Sequence, residues 1–347
     1  MPTDAAPRIL IVKLTAIGDV LHAMPVACAL REAFPRAYIA WLAEGRAGDL
    51  LAGHKALDRR FVAPRRWIKS PSAVWHLRKL LRGQQFDVAL DLQGLTKSAV
   101  AAWLSGAKRR IGFGGEMGRE ISRLFYHDRV TPKSAHVVDR YLELLAPLGI
   151  AKPSVQFNVP RFPDAATNVE RFLARERLVG PLAVINPGAG WPSKRWPADR
   201  LGQVARHLGE SHALPSVVVW AGDEERRWAE EIVAIGGKHA HLAPATSLAE
   251  LAELARRACL FVGADTGPLH LAAAVGTPCV GLFGPMPAER NGPYGAQHIA
   301  IQKMRLGGTS RQRRSAGNET MLAIPVDDVT AACDTILARR DRALRGA

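Results

Sequence analysis

The sequence has little of what several protein classes require. Its four cysteines (Cys28, Cys259, Cys279 and Cys333) are scattered through apolar segments without CxxC spacing. They read as buried, reduced thiols, which argues against a disulfide framework, a thiolate metal site or a dithiol redox centre. No charged segment followed by an apolar run opens the chain: Met1 to Pro7 is a polar tail, and Arg8 starts a strand. A secretory signal is therefore not expected, and the protein is expected in the cytoplasm. The longest stretch without charge, Thr266 to Ala288, approaches membrane-spanning length. It carries Gly267, Pro268, Gly276, Pro278, Gly281, Gly284, Pro285 and Pro287, which divide it into helix, turn, strand and loop.

Common nucleotide fingerprints are missing too. There is no GxxxxGK[ST] phosphate loop. The nearest approach to a dinucleotide fingerprint is Gly112-Phe-Gly-Gly-Glu-Met-Gly118, where Met117 occupies the last required glycine position. It also follows basic residues rather than a clean strand. No Asp-x-Asp pair or histidine cluster offers a metal for a diphosphate. No helix-turn-helix, zinc finger or aromatic RNP pattern is present. A P-loop ATPase and a standard NAD site are set aside, and neither a metal centre nor a cofactor is expected. Nucleic acid is not expected as a partner, a nucleic-acid-binding protein being a rival reading with charge as its sole support.

Positive charge is what the chain has in excess. Lysine and arginine number 47 against 32 acidic residues, for a net charge of +15. Sixteen basic and five acidic residues lie between Arg59 and Lys133, so that stretch alone supplies +11. A second cluster holds Lys303, Arg305, Arg311, Arg313 and Arg314. Such an excess suits an anionic partner, whether nucleic acid, an acidic membrane face or a phosphorylated small molecule, or it is a solvated basic surface. Charge alone does not choose among them.

With 347 residues, 48% hydrophobic and 23% charged, the chain is long enough for two domains of about 150 residues. Short apolar runs alternate with helical spacing. Arg8–Lys13, Tyr38–Leu42 and Phe86–Asp91 read as strands, with helices over Val20–Leu30, Val74–Arg82 and Val137–Leu148. The pattern lapses over Lys152–Pro163, which reads as a linker, and then restarts. Strands follow at Leu182–Ile185, Ser216–Trp220, Cys259–Val262 and Pro278–Phe283, and helices at Ala198–Leu208, Asp223–Ile235 and Leu248–Arg257. The alternation predicts an α/β protein with two doubly wound, Rossmann-like domains facing a central cleft. The expected bounds are 1–155 and 165–325, with a C-terminal helix over 326–347 able to pack back on the first domain.

In open parallel sheets, ligands bind at the carboxyl ends of strands. Six such ends carry glycine, small residues or charge: Thr15–Asp19, Gln93–Lys97, Asn186–Gly190, Ala221–Glu224, Gly263–Gly267 and Gly284–Pro287. Asp265-Thr-Gly-Pro-Leu-His270 reads as a helix start with free N–H groups, either a plain N-cap or an anion site. His270 fits a satisfied core histidine as well as a ligand. Lys194, after the glycine turn 186–190, could neutralise a diphosphate as a point charge. Asp19, opening a helix after the first strand, is either an N-cap or a general base. Trp196-Pro197 reads as loop packing.

Together these residues resemble glycosyltransferase family 9, the ADP-heptose:lipopolysaccharide heptosyltransferases, over almost the whole chain. Ile11–His22 looks like that family's N-terminal loop. Asp91-Leu-Gln-Gly-Leu-Thr-Lys-Ser98, Ser122-Arg-Leu-Phe-Tyr126 and Arg65-Arg-Trp67 look like its heptosyltransferase I branch, and Asn186–Pro197, Asp265–His270 and Phe283-Gly-Pro285 like its donor half. The resemblance implies a GT-B fold and an inverting, metal-independent transfer of heptose from ADP-L-glycero-D-manno-heptose to a Kdo-type inner-core acceptor. Asp19 would be the base. Lys194, Ala189, Gly190, Glu224 (or Glu225), Thr246, Asp265, Thr266, Gly267 and His270 would line the donor site. Arg65, Arg66, Lys97, Arg119, His136 and Arg140 would meet the anionic acceptor, with room for peripheral contact at the inner membrane.

The chain departs from the family pattern at Ala189 and Gly190, where threonines are usual, and at Met286, which replaces a threonine. Thr246 stands where a methionine would approach adenine, and the segment 307–318 has no counterpart. A GT-B-type nucleotide-sugar epimerase and a family 9 transferase with another acceptor are the rival readings. The +11 stretch disfavours the epimerase, which needs no basic acceptor face.

Overall fold

The computed structural model describes residues 6–345. The chain divides into two compact units, Met1–Pro160 and Arg161–Ala347, each built on a six-stranded parallel sheet. In the first unit the elements are β1 (Arg8–Val12), α1 (Ile17–Ala33), β2 (Tyr38–Glu44), β3 (Arg59–Ala63), α2 (Pro71–Arg82), β4 (Val88–Asp91), α3 (Thr96–Leu104), β5 (Arg109–Phe113), β6 (Asp128–Val130) and α4 (Val137–Glu143). The sheet order is β3-β2-β1-β4-β5-β6. Its central strand is an unbroken apolar run because both faces are covered. Ile9, Leu10, Ile11 and Val12 are wholly buried, pairing with Ile39–Leu42 on one side and Val88–Asp91 on the other.

The second unit repeats the plan. It runs α5 (Pro163–Arg175), β7 (Ala183–Asn186), α6 (Ala198–His212), β8 (Ser216–Val218), α7 (Gly222–Gly236), β9 (Ala240–Leu242), α8 (Leu248–Arg257), β10 (Leu260–Ala264) and α9 (Gly267–Ala274). After these come β11 (Cys279–Phe283), α10 (Ala288–Asn291), β12 (Ile299–Gln302), α11 (Ser310–Ser315), α12 (Glu319–Leu322) and α13 (Val326–Arg345). Its order, β12-β11-β10-β7-β8-β9, is the same winding. In each sheet the direction of winding reverses between the first and fourth strands of the unit. The loops after β1 and β4, and those after β7 and β10, therefore leave from neighbouring strands at the switch point.

The central strands match the sequence reading closely; the edge strands β3, β6, β9 and β12, and β5 beside β6, do not. These strands are short and partly polar, and β3 opens with exposed Arg59 and Arg60 before buried Phe61 and Ala63, with exposed Val62 between them. The Arg109–Phe113 segment corrects one expectation: it is a strand paired to β4, so the glycine run 112–118 does follow a strand. The helix expected over Val137–Leu148 stops at Glu143, and a separate 3₁₀ turn covers Ala146–Leu148. Pro147 lacks the N–H that would continue the helical ladder, and its ring would crowd Glu143. Helix α5 begins at Pro163, inside the stretch that reads as a linker, with proline in the first turn where it is tolerated. Val329, Ala332, Cys333, Ile336 and Leu337 of α13 are buried in the second unit's own core. Among the described residues, no helix is long and apolar enough to cross a membrane.

Candidate functional site

The carboxyl end of β1 presents Asp19 in the first turn of α1. The Ala16 N–H donates to Asp19 Oδ2 at 3.1 Å, so one carboxylate oxygen holds the helix start. The other, Oδ1, faces Tyr141 Oη at 3.5 Å and Lys13 Nζ at 4.0 Å. The side chain of Asp19 remains 44% accessible, leaving a lone pair of its carboxylate open to an incoming hydroxyl. The N-cap reading of Asp19 is thereby corrected: Ala16 is the N-cap of α1, and Asp19, three residues on, reaches back to its backbone N–H while its other oxygen stays accessible.

Behind it lies an arrangement that the sequence does not reveal. Lys13 is 2% exposed, yet its ammonium is satisfied, donating to Leu92 O at 3.0 Å and to Tyr141 Oη at 2.7 Å. A buried cation without such partners would be costly. The 13–141 pairing spans 128 residues of sequence, and its only local trace is a lysine ending an apolar strand.

The Asp91–Ser98 motif is the bracket for this loop. Asp91 is wholly buried, which pushes its carboxyl upward against four hydrogen bonds. The amides of Gln93 and Gly94 donate to Oδ1, at 2.8 and 3.2 Å; Ser98 Oγ and Tyr126 Oη donate to Oδ2, at 2.8 and 2.6 Å. So fixed, Gln93 accepts the N–H groups of Leu14 and Thr15 on its Oε1, at 3.1 and 3.3 Å. Gly94, at φ +71°, passes so close to Met117 that an added Cβ would lie 2.4 Å from its carbonyl oxygen. Its own carbonyl takes the Arg119 N–H at 3.0 Å.

The six basic residues expected at an acceptor do not form one contact group. Lys97 forms an ion pair with the buried Glu44, which also accepts the Arg66 amide at 3.3 Å. The exposed Arg65 lies against Gly45. Arg119 is tied to the Asp91 bracket through its backbone. His136 accepts the Val138 N–H at the start of α4 at 3.2 Å, its ring 5.9 Å from that of His22. Arg140 donates to Ser134 O at 2.7 Å and touches Met117 Sδ at 3.9 Å. The guanidinium groups of Arg65, Arg66 and Arg119 have no hydrogen-bond or ion-pair partner among the described residues.

In the second unit the loops after β7 and β10 do meet. Lys194 Nζ lies 2.6 Å from Asp265 Oδ2 and donates to Asp265 O at 3.1 Å, while His270 Nε2 donates to Oδ1 at 3.0 Å. Full burial would raise the Asp265 carboxyl, but the His270 hydrogen bond and the Lys194 charge outweigh it and hold it at about 2. Asp265 is thus not the N-cap of α9. That position is Thr266, whose hydroxyl donates instead to Ala264 O at 3.1 Å. Helix α9 then opens with Gly267 and Pro268, leaving the first-turn amides unpaired by any cap side chain. His270, 6% exposed, props Asp265 from behind.

The remaining donor-side residues are spread around this pair. Asn186 Nδ2 donates to Gly188 O at 3.1 Å and to Thr266 Oγ1 at 3.4 Å, tying the glycine turn to the α9 start. Ala189 is buried; Gly190 is exposed with nothing within 4 Å of an added Cβ. Glu224 is engaged by both terminal nitrogens of Arg195 at 3.2 and 3.3 Å. Glu225 packs against Gly188, where an added Cβ would lie 2.4 Å from its carboxylate, and burial raises its carboxyl. Thr246, half-buried, precedes Ser247, the N-cap of α8. Trp196 packs the loop, donating its indole N–H to Ile324 O at 3.1 Å.

The segment 307–318 also reaches this loop. Its α11 lies against the 3₁₀ turn Pro192–Lys194, and the Arg314 guanidinium carbon is 5.0 Å from the Trp191 ring centroid, with Lys194 Nζ at 4.6 Å from the same ring. Asn318 Nδ2 donates to Arg195 O at 3.1 Å. Arg314 has no acidic partner among the described residues, whereas Lys303 and Arg305 pair with Asp328 and Glu289. Two cations on one indole, only one of them neutralised, make an electropositive surface beside the α9 start.

Solved structures share this architecture. A glycosyl transferase family 9 protein from Veillonella parvula superposes with a TM-score of 0.84 at 22% identity, covering 96% of this chain and 98% of its own. The Escherichia coli heptosyltransferase WaaC with ADP-2-deoxy-2-fluoro heptose superposes with a TM-score of 0.75 at 24% identity, covering 94% and 99%. The fold is that of a GT-B glycosyltransferase. In sequence, the lipopolysaccharide heptosyltransferase 1 of Salmonella typhimurium is 30% identical over 303 residues, spanning 84% of this chain and 93% of that protein. The family model for glycosyltransferase family 9 (heptosyltransferase) matches residues 74–320. The chain belongs to glycosyltransferase family 9 and is a glycosyltransferase of the heptosyltransferase kind.

Proposed function

We propose that this enzyme moves heptose from ADP-L-glycero-D-manno-heptose to a Kdo-type acceptor of the lipopolysaccharide inner core, with inversion and without a metal. The observation that carries the reading is the Lys194–Asp265–Thr266 arrangement at the second switch point. It sets an ammonium and the unpaired first-turn amides of an eight-residue helix side by side, which suits a diphosphate. The complex of the E. coli relative with a fluorinated ADP-heptose supports an ADP-sugar at this kind of site.

In this mechanism Asp19 takes the proton of the acceptor hydroxyl as that oxygen attacks the anomeric carbon. One displacement with an external nucleophile inverts the centre. The bond to the diphosphate breaks, and Lys194 with the Gly267 amide stabilises the charge that develops on the departing ADP. Lys13 and Tyr141 hold Asp19 Oδ1 in place, and Gln93 holds the loop before it. Peripheral contact with the inner membrane belongs to the same reading, supported by exposed Ile68, Trp75, Leu80 and Leu124 among the basic residues of the first unit.

The acceptor assignment is tested most cleanly at Arg119, whose side chain has no hydrogen-bond or ion-pair partner among the described residues. Charges converging on a bound carboxylate or phosphate form hydrogen bonds of about 1.5–3 kcal/mol each. Arg119→Ala should therefore raise the acceptor KM about tenfold or more with donor KM little changed, and high salt should reproduce part of the effect. Lys97→Ala should do the same and also lower the Tm, because it strands the buried Glu44. Loss of donor affinity with acceptor affinity kept would mean that the two halves are assigned the wrong way round.

Arg314 offers a second test, of the donor side. If its charge reaches the diphosphate, Arg314→Ala should raise the donor KM several-fold and leave the acceptor KM unchanged, while Arg314→Lys recovers part of the loss. Unchanged donor kinetics would reduce the 307–318 segment to packing.

Release of ADP only in the presence of acceptor separates the transferase from an epimerase, which needs none.

A further inference from the structure

Helices α6 and α13 carry a cluster to which none of the candidate donor or acceptor residues belongs. His207 Nε2 and His212 Nε2 lie 2.8 and 2.7 Å from the same atom, Asp334 Oδ1. One ligand atom from each of the three residues falls within 4.8 Å of every other. The two imidazoles meet edge to face with centroids 5.8 Å apart. Histidines five apart on a helix point well away from one another, which is why the sequence shows no cluster. They converge because Asp334 arrives between them on α13, whose apolar side is locked into the same core.

Two imidazole nitrogens and a carboxylate oxygen form a donor set for zinc and its neighbours, not for magnesium or calcium, which take oxygen ligands. Bond lengths of about 2.0–2.2 Å to a tetrahedral ion would set the ligand atoms roughly 3.3–3.6 Å apart. The present separations of 2.7 and 2.8 Å would have to open by roughly 0.5–0.9 Å, within reach of small side-chain rotations. Ser211 Oγ, 3.5 Å from His207 Nδ1, stands where an outer partner would fix the tautomer that leaves Nε2 free to ligate. The side chains are 29%, 29% and 44% exposed, so an ion can enter and water can complete the coordination.

We propose that His207, His212 and Asp334 form a divalent transition-metal site of the zinc class that staples the C-terminal helix to α6. The ion here is structural and takes no part in transfer, so the site stands apart from the metal-free chemistry proposed above.

The test uses the full-length protein, stripped with EDTA, dialysed and titrated with zinc chloride by calorimetry, with cobalt(II) absorption as a second readout. Uptake of one zinc per chain is expected at a protein concentration of about 10 μM. At about a hundredfold excess over the dissociation constant, the Tm should rise by roughly 4 °C or more. His207→Gln and His212→Gln are surface changes that can still donate to Asp334, and each should abolish uptake and the Tm rise. Asp334→Asn should weaken uptake about tenfold or more. No uptake by the wild type, or uptake that survives either glutamine variant, would leave only a histidine pair hydrogen-bonded to a carboxylate. Zinc binding without a rise in Tm would refute the staple. The thermal shift given by ADP, measured on the same samples, should be equal in wild type and variants, so the metal site and the donor site succeed or fail separately.

Discussion

Asp19→Asn is expected to cut transfer by about 10²–10⁴-fold, the usual contribution of a general base, while ADP binding stays near wild type. Asparagine is the informative substitution because Asp19 has two roles in the structure. Its Oδ2 accepts the Ala16 N–H, and a capping hydrogen bond of this kind is typically worth about 1 kcal/mol to the helix start. The amide oxygen of asparagine can keep that bond but cannot accept a proton from a hydroxyl. Asp19→Ala loses both functions. The pair should therefore show equal loss of kcat and unequal Tm, with the alanine variant the less stable. Initial rates with saturating ADP-sugar, together with ADP binding by calorimetry, measure each part. A variant that kept more than about a third of the wild-type rate would remove Asp19 from the chemistry and leave it a helix cap.

Lys194→Ala should have the second largest effect, slowing transfer by about 10²–10³-fold, the range seen when one preorganised donor to a developing negative charge is lost. The reason is specific to this site. Leaving-group charge must be neutralised as the sugar–phosphate bond breaks, and the residues at hand are an ammonium and the α9 amides. Lys194 is already positioned, since Asp265 holds its Nζ from two oxygens at 2.6 and 3.1 Å. Because Asp265 keeps its His270 partner, the variant should lose some stability but fold. Lys194→Arg should recover little, as the planar fork does not replace a compact ammonium in a narrow loop. EDTA should change neither donor binding nor rate. Activity lost in EDTA and restored by magnesium would overturn the metal-free scheme and move the charge-neutralising role away from Lys194.

Much of the architecture is legible in the residues themselves. A strand buried on both faces must be apolar at every position, so runs such as Ile9–Val12 and Leu260–Ala264 stand out, and the glycine and acidic residues that follow mark the strand ends. That one-dimensional pattern suffices for two parallel sheets, and it sets Asp19 and Lys194 in the segments that follow strand ends. The strands at or next to the sheet edges are hidden because a half-exposed strand need not be apolar: Arg59 and Arg60 open the edge strand β3, and Arg109 and Arg110 open β5, one strand in from the edge. What each side chain touches was decided only by the tertiary structure. Asp265 reads locally as an N-cap, yet it is the anionic partner of a lysine 71 residues earlier. Lys13 meets Tyr141 across 128 residues, and two histidines that point apart on α6 are gathered by an aspartate 122 residues beyond the second. Local sequence constrains neighbours within about one helical turn or one strand step. Pairings at greater separation follow from strand order and helix packing, and these set which loops leave the sheet side by side.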